Sequence, residues 1–338
     1  MTRPDPPDGS DTIVDAMRTR LGVGEPVAGS PLESLVGQIV NGYFIEAELG
    51  AGAMGAVYRA SHVETNRVVA IKALHPRHVD NPKVVERFRR EAKLAARLVH
   101  PNIAGVIDFG KSLDDGRHLI VLELAEGESL TAIMTMPLPP ERVTELTSQL
   151  LRGLEHAHGA GLIHRDLKPD NVMVAWADGR EHVRIVDFGI AVLRDRDDTS
   201  DKLTATGQVI GTPLYMSPEQ AKGERFDHRT DLFALGVIVY EMLSGELPFK
   251  GRPLDIAIAN INQDPPPMAD RVPGLLVEPL LETFCRKLMA RKLADRFASA
   301  REALDVLGLI AGDPAAAGAA MGIMDVETAF ATIGLPER

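Results

Sequence analysis

Four short stretches of the 338-residue chain carry side chains suited to handling phosphate and metal. The first is "ELGAGAMGAVYRA", Glu48 to Ala60, where Gly50, Gly52 and Gly55 stand in the spacing G-x-G-x-x-G. Lacking Cβ atoms, glycines so spaced let a backbone approach phosphate oxygens. The same spacing occurs in dinucleotide sites, in flaps over phosphates and by chance in Gly/Ala-rich chains, so the glycines alone do not choose. The second is Lys72 in "VVAIKAL". A lysine in a half-buried strand needs an anionic partner, and Glu91 on the next helical stretch is the natural candidate. Taken alone, an exposed strand lysine is the simpler reading. The third is "HRDLKPDN", His164 to Asn171. Here Asp166 can accept a proton from a hydroxyl, Lys168 can offset charge on a transferring group, and Asn171 offers an oxygen to a cation. The fourth is "VDFG", Val186 to Gly189, whose Asp187 is a hard oxygen ligand at the end of a strand.

The elements around these stretches separate the readings of the glycines. A dinucleotide fingerprint needs a helix directly after the loop and an acid about 20 residues on. Instead "MGAVYRASHVETNRVVAIK" alternates like a hairpin, and the residue in the expected zone is the base Lys72. A loop between two antiparallel strands is a flap. From Gly42 to Glu123 the pattern is strand-rich with one helix, "NPKVVERFRREAKLAARLVH", where Val84, Val85, Phe88, Leu94 and Leu98 approximate a 3.6-residue period. From Ser129 onward helices dominate. "PERVTELTSQLLRGLEHAHGAG" is amphipathic and ends in glycine, while "RTDLFALGVIVYEMLSG" is apolar nearly all round and reads as a buried central helix. A hinge falls near residues 123–128. Residues 1–38 are rich in Pro, Gly, Asp and Ser and read as a disordered extension with one helix-like patch, "TIVDAMRTRLG". Residues 311–338 read as an Ala/Gly-rich tail.

Bulk properties narrow the class of partner. The chain is 45% hydrophobic and 25% charged, with a formal net charge of −11. That acidity argues against nucleic acid or an anionic membrane as main partner, since both call for a basic face. Neither "LFALGVIVY" nor "PAAAGAAMGIM" approaches the ~20 apolar residues of a membrane span, so no span is expected. The single cysteine, Cys285, excludes an internal disulfide and a cysteine-based zinc site, and a reducing, cytoplasmic setting is expected. His156, His158 and His164 lie close in sequence but read as packing residues rather than a metal cluster.

Taken together and in order, "GAGAMGAV", "VAIK", "HRDLKPDN" and "DFG" resemble the motif set of the eukaryotic-like (Hanks-type) protein kinase family, its bacterial serine/threonine branch in particular. The resemblance covers roughly residues 42–307. It implies an α+β, bilobal fold: a small lobe (39–123) with a five-stranded sheet and one helix, and a larger, mainly helical lobe (129–310). It implies transfer of the γ-phosphoryl of ATP, with Mg2+ or Mn2+, to Ser/Thr hydroxyls of protein substrates. By position, Leu49, Gly50, Gly52 and Gly55 cover the nucleotide, and Val57, Ala70 and Met173 sandwich adenine. Glu123 and Ala125 supply hinge backbone hydrogen bonds, with Leu122 as gatekeeper. Lys72 contacts phosphates and pairs with Glu91. Asp166 is the base, Lys168 a γ-phosphate contact, and Asn171 and Asp187 the metal ligands. Asp231 caps the catalytic loop, and Glu219 of "SPE" pairs with Arg296. Thr204 and Thr206 resemble an autophosphorylation pair whose phosphate Arg165 would answer. Two other forms of the resemblance are a pseudokinase scaffold and the cytoplasmic part of a membrane receptor. The intact Lys72, Asp166, Asn171 and Asp187 favour an active enzyme. A homodimer through the small lobe is compatible with the resemblance.

Overall fold

The computed structural model describes residues 34–52, 55–112, 115–188 and 213–323. They divide into two compact units: residues up to Val99 with Ala104–Ala125, and His100–Ile103 with the residues from Glu126 onward.

The first unit is built on a six-stranded antiparallel sheet in the order β1-β2-β3-β4-β6-β5. Its strands are β1 (Ile39–Val40), β2 (Tyr43–Gly52), β3 (Gly55–His62), β4 (Val68–Leu74), β5 (Val106–Lys111) and β6 (His118–Glu123). The strand beyond the expected five is β1, which pairs Ile39 with Phe44 and Val40 with Tyr43. Two residues carry no alternation, so no periodicity announces it. Leu35 and Val40 join Ile45, Tyr58, Val69 and Ile71 in the core, so packing begins upstream of the expected boundary. The β2–β3 hairpin closes with Gly52 opposite Gly55, its tip residues 53 and 54 lying outside the described residues. Helix α1 (Pro82–Ala95) starts from Asn81, whose side chain accepts the Val84 N–H, with proline in the first turn. Its buried face is Phe88, Glu91, Ala92 and Ala95, and the helix has ended before Leu98, which is buried outside it.

The second unit is mainly helical. After a short strand β7 (Glu128–Ser129) and the one-turn helix α2 (Leu130–Ile133) comes α3 (Pro140–Gly159). Strands β8 (Val172–Ala177) and β9 (Arg180–Ile185) complete a small sheet with β7. Then follow α4 (Pro218–Lys222), α5 (Arg229–Ser244), α6 (Pro253–Asn262), α7 (Met268–Arg271), α8 (Pro279–Leu288), α9 (Ala300–Gly312) and α10 (Pro314–Met321). Helix α5 is buried on nearly every side, as its all-round apolar sequence requires. Gly236 lets α8 close on it: a Cβ there would stand 2.6 Å from Met289 Cγ and 2.8 Å from Leu288 Cβ. The Cys285 thiol donates to the Gly236 carbonyl at 3.2 Å, and burial pushes it well above the ordinary thiol range. Cys285 is thus a packing residue. Helical packing runs on past residue 310, since α10 buries Ala317 and Met321.

The four residues His100–Ile103 belong to this unit. Asn102 Nδ2 donates to the Val183 carbonyl at 2.8 Å and to Gln149 Oε1 at 3.1 Å, while its own carbonyl accepts the Ile185 N–H at 2.9 Å. No helix among the described residues is long and apolar enough to cross a membrane.

Candidate active site

The sheet unit carries the glycines and the lysine. Lys72 sits mid-strand on β4, opposite Val57 of β3 and Ile120 of β6, and only 6% of it is exposed. Glu91, 8% exposed, is on the buried face of α1. Neither charge would be held at such depth without compensation. The three glycines have different reasons to be glycine. A Cβ on Gly55 would lie 1.9 Å from the Ala73 carbonyl oxygen, so that position is set by its neighbour strand, whereas a Cβ on Gly50 or Gly52 meets no atom within 4 Å. Leu49 lies where the β2–β3 register shifts, between Glu48 and Gly50. Ala70 and Leu122 are buried, and Val57 is half-buried. The Glu123 N–H donates to the Gly105 carbonyl at 2.8 Å, and its carboxylate accepts the Gly105 N–H at 3.3 Å.

The helical unit carries the acids. Asp166, Lys168 and Asn171 lie on the loop between α3 and β8, and Met173 is on β8. Lys168 Nζ stands 3.4 Å from Asp166 Oδ2. Asn171, buried, donates its side-chain amide to the Asp166 carbonyl at 2.8 Å and accepts the Val186 N–H on its own backbone carbonyl at 2.9 Å. Asn171 is thereby tied both to Asp166 and to the residue before Asp187. The His164 ring packs against Phe188 at a tilt of 59° with ring centroids 4.8 Å apart, and its Nε2 lies 3.0 Å from the Val186 carbonyl. Two residues of this region hold left-handed backbones: Arg165 at φ 68° and Asp187 at φ 60°. Strain of this kind persists only where the surroundings over-determine it.

Asp231, near the start of α5, does much of that. It is almost fully buried; its Oδ2 accepts the His164 N–H and its Oδ1 the Arg165 N–H, both at 2.8 Å. Its Oδ2 also lies 2.8 Å from His158 Nε2. Burial alone would raise this carboxyl, but the His158 contact and the His164 side hold it below its ordinary value. Glu219 and Arg296 form a two-pronged ion pair, with both N–H···O distances 2.8 Å. The three neighbouring histidines take separate partners. His156 stacks on His100 at 5.1 Å, His158 faces Asp231, and His164 faces Val186. Thr204 and Thr206 lie outside the described residues.

Two contributors escaped sequence reading. Gln220 donates its amide to the Arg165 carbonyl at 2.8 Å. Its signal was present as the Ser217-x-x-Gln220 helix-start pattern, which announces a cap rather than a partner in a distant loop. Tyr215 donates its hydroxyl to Glu241 at 2.6 Å. Burial raises the Glu241 carboxyl above its ordinary value, the nearby Asp170 charge adds to this, and the Tyr215 bond opposes it.

Residues 43–306 match the protein kinase domain family. The chain is 43% identical over 262 residues to the serine/threonine-protein kinase pkn3 of Myxococcus xanthus, covering 76% of this chain and 48% of that protein. It is 37% identical over 274 residues to the serine/threonine-protein kinase PknL of Mycobacterium tuberculosis, covering 80% of this chain and 65% of that one. Among solved structures it is similar to the kinase domain of PknI from Mycobacterium tuberculosis, at 30% identity and a TM-score of 0.61, over 80% of this chain and 97% of the other. The chain therefore belongs to the protein kinase family, of the Hanks type with bacterial relatives, and its fold is that family's pairing of a sheet unit with a helical unit. It spans 48% of the length of the pkn3 protein and 65% of that of PknL.

Proposed function

We propose that the chain is a serine/threonine protein kinase, moving the γ-phosphoryl group of ATP to Ser and Thr hydroxyls of proteins, its own activation segment (187–219) included. The observation that carries this reading is the arrangement about Asp166: a carboxylate 3.4 Å from Lys168, its backbone carbonyl held by Asn171. In the transfer, the bond from the γ-phosphorus to the bridging oxygen breaks, a bond to the substrate oxygen forms, and ADP leaves. Asp166 takes the hydroxyl proton, and Lys168 offsets negative charge on the group in transit. Lys72, steadied by Glu91, holds phosphate oxygens. Leu49, Gly50, Gly52 and Gly55 cover the nucleotide, Val57, Ala70 and Met173 enclose the base, and the Glu123 and Ala125 backbones bond it. The serine/threonine class is supported by Lys168 two residues after Asp166 and by the printed names of the relatives. A cytoplasmic setting, where ATP is available, fits the same reading.

The donor set suits magnesium or manganese. With the Asn171 amide nitrogen committed to the Asp166 carbonyl, Oδ1 is the atom left to coordinate, and Asp187 adds carboxylate oxygens. A bound ion there would neutralise phosphate charge. Incubation of the protein with magnesium, labelled ATP and a cell lysate, followed by phosphosite mapping, tests the proposal. Phosphoserine and phosphothreonine are expected, and Asp187→Asn is expected to abolish them. Label on tyrosine or histidine only, or none at all, would overturn the reading.

Thr204 and Thr206 are proposed as the regulatory phosphosites. A phosphate there would pair with Arg165, next to Asp166. Replacing both with alanine is expected to lower kcat by roughly tenfold or more, as loss of one charge-assisted hydrogen bond of ~1.5–3 kcal/mol implies. Parent-like kinetics of the double variant would remove these sites from the scheme.

A further inference from the structure

Arg165 holds φ at 68°, a conformation that side-chain-bearing residues seldom adopt, and it immediately precedes Asp166. Its peptide is gripped from two directions. The N–H donates to Asp231 Oδ1 and the carbonyl accepts from Gln220 Nε2, each at 2.8 Å. Asp231 comes from the central helix α5. Gln220 comes from α4, in the segment that closes the activation loop.

The Gln220 amide cannot turn over. Its Oε1 accepts both the Ser217 N–H at 3.2 Å and the Ser217 hydroxyl at 3.1 Å. The Ser217 hydroxyl is in turn bonded to Thr230, the neighbour of Asp231. Ser217, Gln220 and Thr230 are all buried. Oxygen must therefore face Ser217, and the NH2 group must face the Arg165 carbonyl.

We propose that Gln220 is a positioning residue for Asp166: its amide holds the Arg165 peptide in the left-handed conformation that aims the following carboxylate. This rests on Asp166 being the proton acceptor. It also gives the segment from residue 213 onward a direct backbone hold on the catalytic loop, separate from the Arg165 side chain. The alternative is that Gln220 merely caps α4. A glutamate serves that purpose equally, since the capping box accepts either residue. A glutamate carboxylate, however, has no hydrogen to give the Arg165 carbonyl and would repel it.

Gln220→Glu therefore separates the two roles. The parent, Gln220→Glu and the near-isosteric Gln220→Met are assayed for kcat and for KM with ATP and dephosphorylated casein. Thermal unfolding and amide hydrogen exchange over residues 164–167 are measured on the same samples. The expected result is a fall in kcat of roughly 10- to 100-fold in both variants, as a small misplacement of a reacting group produces. KM for ATP should stay within about twofold of the parent, and exchange at Arg165 and Asp166 should quicken. Gln220→Glu with parental kcat and exchange would reduce Gln220 to a cap; if that variant does not fold, the same result for Gln220→Met does so. If the parent transfers no phosphate, the kinase reading fails, and exchange at Arg165 and Asp166 alone decides whether Gln220 holds the loop.

Discussion

Asp231→Ala is expected to cost the helical unit about 3–5 kcal/mol, as removal of a buried, fully partnered charge does, and to take phosphoryl transfer with it. The side chain is almost completely buried, and its two oxygens serve the His164 N–H, the Arg165 N–H and the His158 ring. Alanine strands two buried N–H groups, each worth ~1–3 kcal/mol when unmatched. The midpoint of denaturant unfolding, followed by far-ultraviolet circular dichroism, measures the loss; a change under 1 kcal/mol would contradict it. Asp231→Asn should lose less, because one amide oxygen can still accept while the NH2 group meets a donor. A pH series adds a second readout. The folded carboxyl lies below its ordinary value despite burial, because His158 and His164 favour the ionised form. Its contribution is therefore complete above the unfolded value of about 3.9 and disappears as pH falls through the lower folded value. The parent should lose stability on the acid side of pH 4 more steeply than Asp231→Asn.

The second large effect belongs to Glu219 and Arg296. Both side chains are buried, and the Arg296 guanidinium also donates to the carbonyls of Ala290 at 2.6 Å and Arg229 at 3.0 Å, over the Phe233 ring at 4.9 Å. Burial pushes the Glu219 carboxyl up, but the Arg296 bonds and charge outweigh it and hold the group low. Glu219→Gln leaves a guanidinium buried without its counter-charge and should cost about 3–5 kcal/mol. Arg296→Met should cost a similar amount. The double variant should cost clearly less than the two added together, because it leaves no lone charge. Strict additivity in this cycle would mean that the pair is not coupled.

The contiguous motifs were legible because their chemistry lies within a few residues: Asp166, Lys168 and Asn171 share one loop, and the structure ties Asn171 to the Asp166 carbonyl. The central helix was legible because burial on all sides erases the polar face. What escaped had weaker local signals. Strand β1 has two residues, and Leu35 lies just before it in a stretch whose Pro, Gly and Ser content reads as extension. Gln220 and Arg165 are 55 residues apart, and nothing local to either announces the other. Gln220 acts through a backbone group on a distant loop, and the helix-start pattern it belongs to says nothing of that loop.

The four residues His100–Ile103 bear on how the molecule can be divided. They sit between stretches of the sheet unit, yet Asn102 and Ile103 finish the edge of the β7-β8-β9 sheet through Val183, Gln149 and Ile185. The chain thus passes between the units three times rather than once. A fragment starting at residue 126 would carry β9 with a raw edge and an empty place where Ile103 packs. A fragment ending at residue 125 would expose that isoleucine and the Asn102 amide to water. Each half would lack part of the packing around the short segment, and two co-expressed halves would have to share it by complementation, as a split reporter does.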